Sequence, residues 1–521
     1  MYSMTQFLKS NARNIPNGVA SVMADRRRTW TQTVDRVSRL AAGMQRLGVQ
    51  PGARVAILAL NSDRYFEFLF AVWWAGAVVV PMNTRWSSAE NVYALNNSES
   101  SMLFVDKAYV DQIDAFRAEV EELREVVYLE DGAAPEGMHS YEDLIAENDP
   151  APDAERCDED LAGLYYTGGT TGFPKGVMVP QRALWFNSVV LATAIEINSR
   201  SSYLHSAPMF HMADGAFSGG ITAAGGAHYF VPSFEPNAVQ ETAAAYGVTH
   251  VLLVPTMWNF LLANPNFDAA KLASVRYGGY GASPMPEGLL KNVMASLPDL
   301  NLVQAYGQTE LAPLATALTA EYHTLEGPLA GKIRSAGSPM TGIEVRIVGP
   351  DGEDMPTGEV GEVWARSPGT MLGYWKQPEA TAATLTADGW VKTGDAAYMD
   401  EDGFVFIADR VKDMIVTGGE NVFSAEVENA ISTHPDVLAV AVIGVPSDQW
   451  GEAVHAIVIP KPGTSPTEEA IIEHTKPLIA NYKRPRSVEF RTEAFSISGA
   501  GKVLKRDLRK PYWEGRERNV N

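Results

Sequence analysis

An α/β fold is predicted for this chain of 521 residues, as a large N-terminal domain of parallel or mixed sheets flanked by helices, a β-rich subdomain and a small α+β C-terminal domain. Three observations predict it. From residue 53 to residue 129 short apolar strands alternate with helical patterns, the succession that builds parallel sheets covered by helices. Beyond Pro350 the text changes to short strands broken by Asp351-Gly352, Asp388-Gly389 and Asp402-Gly403 turns. The last part carries apolar runs over 437–445 and 455–459 and a helical pattern over 467–480, enough for a compact module of its own. A boundary near Arg410 separates a domain over 1–410 from one over 411–521.

In order, strands are expected over 54–60, 78–81, 102–105 and 125–129, each apolar and short. Helices are expected after Asn61-Ser62, over 89–97 and over 111–120. The apolar run over 68–82 is broken by Gly76 and ended by Pro81. It falls short of the ~20 residues a membrane span needs and reads as a buried helix followed by a buried strand. Residues 131–160, rich in Asp, Glu, Pro and Ala without periodicity, read as a surface connection into a strand over 161–166. A second α/β region is expected through a strand over 250–254, a helix over 287–295 and a strand over 301–305.

Charge and cysteine content exclude several functions. Lys and Arg number 42 against 63 Asp and Glu, a net charge of -21, which opposes general affinity for nucleic acid. An anionic ligand would therefore need a locally positive site of a few cations and backbone N–H groups. The single cysteine, Cys157, lies in a polar run and reads as a spectator thiol. It rules out an intramolecular disulfide and a cysteine-rich zinc site. The first residues lack an apolar core with a cleavage site, and a cytoplasmic location is expected.

The most informative string runs Tyr165-Tyr166-Thr167-Gly168-Gly169-Thr170-Thr171-Gly172-Phe173-Pro174-Lys175-Gly176. Its glycines let backbone N–H groups turn toward an anion, its threonines add hydroxyls, and Lys175 adds charge, which together make a phosphate cradle. Neither Gly331-Lys332 nor Gly501-Lys502 is followed by Ser or Thr, so no Walker A loop is present. The string resembles the phosphate loop of the adenylate-forming superfamily, which includes acyl-CoA synthetases and aryl-CoA ligases. Gly168 stands where that family carries serine, which removes one hydroxyl from the cradle.

Further segments resemble the family's motifs in the same order, over roughly residues 30 to 510. Pro208-Met209-Phe210-His211 is similar to the segment whose last residue gates the acyl pocket. Gly281-Ala282-Ser283 resembles the strand end beside the adenine, and Tyr306-Gly307-Gln308-Thr309-Glu310 the motif that stacks on it. The resemblance implies a π-face at Tyr306, an α-phosphate hydroxyl at Thr309, and Mg2+ held through Glu310 and Thr170. Lys392-Thr393-Gly394-Asp395 resembles the motif whose carboxylate accepts both ribose hydroxyls, with Arg410 nearby and Lys412 as the interdomain hinge. Gly418 and Gly419 resemble the loop lining the pantetheine tunnel. Trp450 sits where some relatives meet the CoA nucleotide, with a partly buried packing tryptophan as the alternative. Ser498-Gly499-Ala500-Gly501-Lys502 resembles the loop that delivers the catalytic lysine.

The implied activity is an AMP-forming acid–thiol ligase using ATP, Mg2+ and CoA, with Lys502, Thr170, Glu310 and His211 as its catalytic group. ATP would be gripped by Thr167, Gly168, Gly169, Thr170, Thr171 and Lys175, and the C-terminal domain would rotate about Lys412 between two half-reactions. The acyl pocket is expected along 211–217, 256–260 and 277–282, with His211, Met257 and Tyr280 on its wall. These segments hold no Lys or Arg, which disfavours a second carboxylate on the substrate. Asp214 is read as a helix N-terminal cap, with a substrate amino or hydroxyl group as the other reading. A medium- or long-chain fatty acid is the first expectation, an aryl acid the second, and loading of a carrier protein the third. A homodimer is compatible with this reading.

Overall fold

The computed structural model describes residues 1–167, 174–283, 285–410, 413–497 and 503–514. Two large sheets carry most of the first 410 residues. In the eight-stranded sheet, Arg54–Leu58 lies between parallel neighbours Val78–Pro81 and Met102–Val105, and Leu161–Thr167 and Lys175–Pro180 add an antiparallel pair. The nine-stranded sheet has His250–Leu252, Tyr277–Gly281 and Asn301–Tyr306 in parallel register beside Ser202–His205. A four-stranded antiparallel sheet follows, ending at Val405–Arg410. The five-stranded sheet that comes after it takes all its strands from Ile415–Thr417 onward. Sheet membership thus changes between residues 410 and 415.

Between the two large sheets runs the helix Asp63–Trp74, every residue of it buried. Ser62 caps it by accepting from Tyr65 N–H. It touches Val78–Pro81 on one side and Val19–Met23 and Ala227–Phe230 on the other, which is why it is apolar nearly all round. Its charged residues are paired: Asp63 with Arg26 at 2.7 Å, Glu67 with Arg36 at 2.8 Å, and Arg64 with Glu142 at 2.8 Å.

That last pair corrects the reading of 131–160 as a plain surface connection. His139–Ser140 adds an edge strand, and Tyr141–Ala146 forms a helix whose Tyr141 is wholly buried and donates to Glu67 at 2.8 Å. Tyr141, Leu144 and Ile145 bury one face of this helix in the core while Arg36 and Arg64 hold Glu142, a single apolar turn too short to stand out in the sequence. The helix expected over 467–480 ends at Thr475, because Pro477 lacks the N–H that would continue it.

Candidate active site

The strands Leu161–Thr167 and Lys175–Pro180 pair antiparallel with Thr167 opposite Lys175, so the two described ends of the glycine-rich string meet at one sheet end. Gly168, Gly169, Thr170 and Thr171 lie outside the described residues. Lys175 Nζ sits 5.0 Å from the centre of the Tyr374 ring. The Tyr374 hydroxyl donates to Glu310 Oε1 at 2.7 Å, and burial together with the Glu310 charge pushes the phenol above its usual range. Tyr374 reaches this place because Gly373–Tyr374 pairs with Lys175–Pro180. The phosphate-loop lysine and the expected Mg2+ ligand are thereby joined through a tyrosine that carries no sequence signal.

The expected nucleotide segments lie side by side. Gly281 and Ala305 are register partners, and a Cβ on Gly281 would lie 2.2 Å from the Ala305 carbonyl oxygen, so only glycine fits. Ala282 follows with a left-handed φ of 63°, and Ser283 is half-buried. Tyr306 ends the neighbouring strand and donates to Asp395 Oδ2 at 2.8 Å. Gly307 has φ 156°, with 2.0 Å between an added Cβ and the Pro313 carbonyl oxygen. Thr309 opens the short turn Thr309–Leu311 that holds Glu310, 8% exposed. Asp395 is opposite Arg410 in the four-stranded sheet, and the Arg410 side chain lies outside the description.

A cavity of about 700 Å³ is lined by His211, Asp214, Met257 and Phe260 among mostly apolar neighbours. His211 is the N-cap of the helix Met212–Ala224, its Nδ1 accepting from Ala213 N–H at 3.2 Å. This corrects the reading of Asp214 as the cap. Asp214 lies inside the first turn, 1% exposed, and its carboxylate accepts from Tyr203 and His205. Tyr280 is not among the lining residues: it is packed in the core beside Met257 and Trp258, its hydroxyl 2.9 Å from His323 Nε2. Arg85 lines the cavity from the turn after Val78–Pro81, which corrects the expectation of a pocket without Lys or Arg: the cation comes from a segment outside the three expected ones. Sequence reasoning missed Ile497 as well. Ile497 bridges antiparallel to Val503, so the residues flanking the 498–502 segment meet at the cavity wall. Lys502 and the hinge candidate Lys412 lie outside the described residues.

In the C-terminal unit Gly418 and Gly419 form the tight turn of a hairpin, with φ of 61° and 86°. Gly418 N–H donates to the Trp450 carbonyl at 2.8 Å, and a Cβ on Gly418 would sit 3.0 Å from the Trp450 ring. The residues singled out for CoA are therefore neighbours, and Trp450 is 41% exposed.

Among the described residues no group of three or more His, Cys, Asp or Glu forms a metal cage. One buried carboxylate, Glu310, joined through Tyr374 to Lys175, suits Mg2+, which takes one or two protein carboxylates and completes its shell with phosphate oxygens and water. No described helix is long and apolar enough to cross a membrane.

Comparison with known proteins gives the family. A family model for AMP-binding enzymes matches residues 8–375, and one for the AMP-binding enzyme C-terminal domain matches 426–502. A feruloyl-CoA synthase from Amycolatopsis sp is 38% identical over 96% of this chain and 97% of its own length. A fatty acid–[acyl-carrier-protein] ligase, ScoC of Streptomyces coeruleorubidus, is 33% identical over 100% of this chain and 98% of its own. The crystal structure of the anthranilate CoA ligase AuaEII in complex with anthranoyl-AMP superposes with a TM-score of 0.89 at 26% identity, covering 98% of this chain and 97% of that one. This chain belongs to the AMP-binding enzyme family, as an acid–thiol ligase of the adenylate-forming type that uses ATP, Mg2+ and CoA.

Proposed function

We infer that the protein joins an aryl-substituted monocarboxylic acid to CoA at the expense of ATP, giving the thioester, AMP and pyrophosphate. The observation that carries this reading is the composition of the cavity: an apolar wall bearing the rings of Phe210, Phe234 and Phe260 and one buried carboxylate, Asp214. Ring faces suit an aromatic acid. A buried carboxylate suits a purely hydrocarbon chain poorly. A medium- or long-chain fatty acid is the second reading, favoured by the apolar majority of the lining and by the resemblance to a fatty acid ligase.

In the first half-reaction a carboxylate oxygen of the acid bonds to the α-phosphorus of ATP as the bond to pyrophosphate breaks. Lys502 bridges the carboxylate and the α-phosphate, Thr167 to Lys175 grip the departing pyrophosphate, and Tyr306 with Asp395 orient the nucleoside. Glu310 and Thr170 would hold Mg2+, which would supply positive charge to the phosphate oxygens. In the second, the C-terminal domain turns about Lys412, Lys502 withdraws, and CoA enters past Gly418, Gly419 and Trp450. Its thiolate sulfur bonds to the acyl carbon and AMP leaves. Pyrophosphate release with MgATP across aromatic and fatty acids, with and without CoA, tests this, with mass spectrometry of the products. CoA-dependent AMP and aryl thioester are expected. Preference for fatty acids would transfer the reading to the second class, and pyrophosphate without thioester would point to a carrier protein as acceptor.

A further inference from the structure

Asp214 is the only carboxylate among the described residues that line the cavity, and each of its oxygens has a hydrogen-bond partner on the strand beneath it. Its Oδ1 accepts the Tyr203 hydroxyl at 2.7 Å, and its Oδ2 accepts from His205 Nδ1 at 2.8 Å. Tyr203 and His205 are two apart on Ser202–His205 and so face the same side of the sheet. Behind them, His205 Nε2 lies 3.0 Å from His228 Nδ1, and His228 Nε2 lies 3.1 Å from the Thr222 hydroxyl. Thr222 donates to the Ser218 carbonyl at 2.8 Å.

Protons can be counted along this row. With its one proton on Ser218, the Thr222 oxygen accepts from His228 Nε2–H. His228 Nδ1 then accepts from His205 Nε2–H, and His205 also donates to Asp214. Burial first, and the neighbouring His205 second, push the His228 pKa well below its usual range.

A wall that only packed against hydrocarbon would be better served by leucine or phenylalanine, since burial penalises a carboxylate. Two donors fill one direction on each oxygen, and an ionised carboxylate has about four such directions. The group is also held still: Tyr203 stacks on Phe217 at 5.3 Å, and His205 on Phe230 at 4.6 Å. Asp214 lies one turn beyond His211 on the same helix face and is the deeper of the two.

We propose that Asp214 is the specificity-determining acceptor of the acyl cavity, taking a hydrogen bond from a hydroxyl that the acid carries away from its carboxylate. A phenol on an arylalkanoic or arylalkenoic acid fits it, because a phenol donates more strongly than an alcohol and its ring matches the aromatic wall. The proposal rests on the reading of the protein as an aryl acid–CoA ligase.

The test is kcat/KM for thioester formation with matched pairs: 3-phenylpropanoate against 3-(4-hydroxyphenyl)propanoate, and cinnamate against 4-hydroxycinnamate. Wild type is expected to favour the hydroxylated member by about tenfold or more, and Asp214→Ala to bring the ratio to about one. Tyr203→Phe, which keeps the carboxylate, should retain a preference for the hydroxylated acid. A purely structural Asp214 would lower both members of a pair alike and leave the ratio unchanged, which overturns the proposal. A wild-type ratio near one overturns it without any variant. If aryl acids are turned over without hydroxyl preference, only the role of Asp214 fails; if none yields AMP and thioester, the aryl-ligase reading fails and the proposal with it.

Discussion

Replacing Gly281 by alanine tests the nucleotide side of the site at one atom. Gly281 ends Tyr277–Gly281 and is buried against its register partner Ala305, whose carbonyl oxygen would lie 2.2 Å from the new Cβ. Ordinary contact begins at 3.4 Å, so the two backbones must part by about 1 Å. No side chain can absorb the difference, because the obstructing atom is main chain. Overpacking of this kind costs about 1–3 kcal/mol. The retreating strand carries Tyr306, whose hydroxyl is bonded to Asp395, so the displacement passes to the two residues proposed to orient the nucleoside. A shift of about 1 Å in such positioning groups lowers rate by about a hundredfold. Urea denaturation measures the first effect and ATP–pyrophosphate exchange the second. Stability within about 0.5 kcal/mol of wild type, together with unchanged exchange, would refute the reasoning.

Other expectations concern the two half-reactions and the pH response. Lys502→Ala should lower acyl-adenylate synthesis by about a hundredfold or more while slowing thioester formation from preformed acyl-adenylate far less; single-turnover assays of each step separate them. Gly418→Ala places a Cβ 3.0 Å from the Trp450 ring at a φ of 61°, and should depress the CoA step at least about tenfold more than the adenylate step, read from the same assays. His323 accepts from Tyr280 and donates to the Thr319 carbonyl, and burial lowers its pKa to about 4. Below its ordinary value of 6.5 the unfolded chain binds a proton that the fold resists, so stability should fall as pH drops from 6.5 toward 4. The loss amounts to at most about 3 kcal/mol. Urea midpoints at several pH values should show this slope in wild type and a flatter one in His323→Gln.

Much of this molecule is legible without coordinates because it is local. Alternation of apolar strands and helices follows from which faces are buried, and Ser62 or the Gly418-Gly419 turn answers a backbone need within a few residues. The nucleotide segments are readable for the same reason, since each is a short string whose glycines meet a local steric demand at Gly281 and Gly307. Tertiary structure alone decided which distant groups meet. Tyr374 reaches Glu310 only through the pairing of Gly373–Tyr374 with Lys175–Pro180. Arg36 and Arg64 pair with Glu142 on a helix whose one apolar turn, Tyr141, Leu144 and Ile145, is buried in the core, and neither partner arginine is near it in sequence. Arg85 and Ile497, more than 400 residues apart, share one cavity. Asp214 had the look of a helix cap, and became a cavity carboxylate because Ser202–His205 lies beneath its helix and presents two donors to it. Burial and turn geometry leave their mark on neighbouring residues, whereas strand register and the partners of a buried charge depend on contacts that neighbouring residues do not encode.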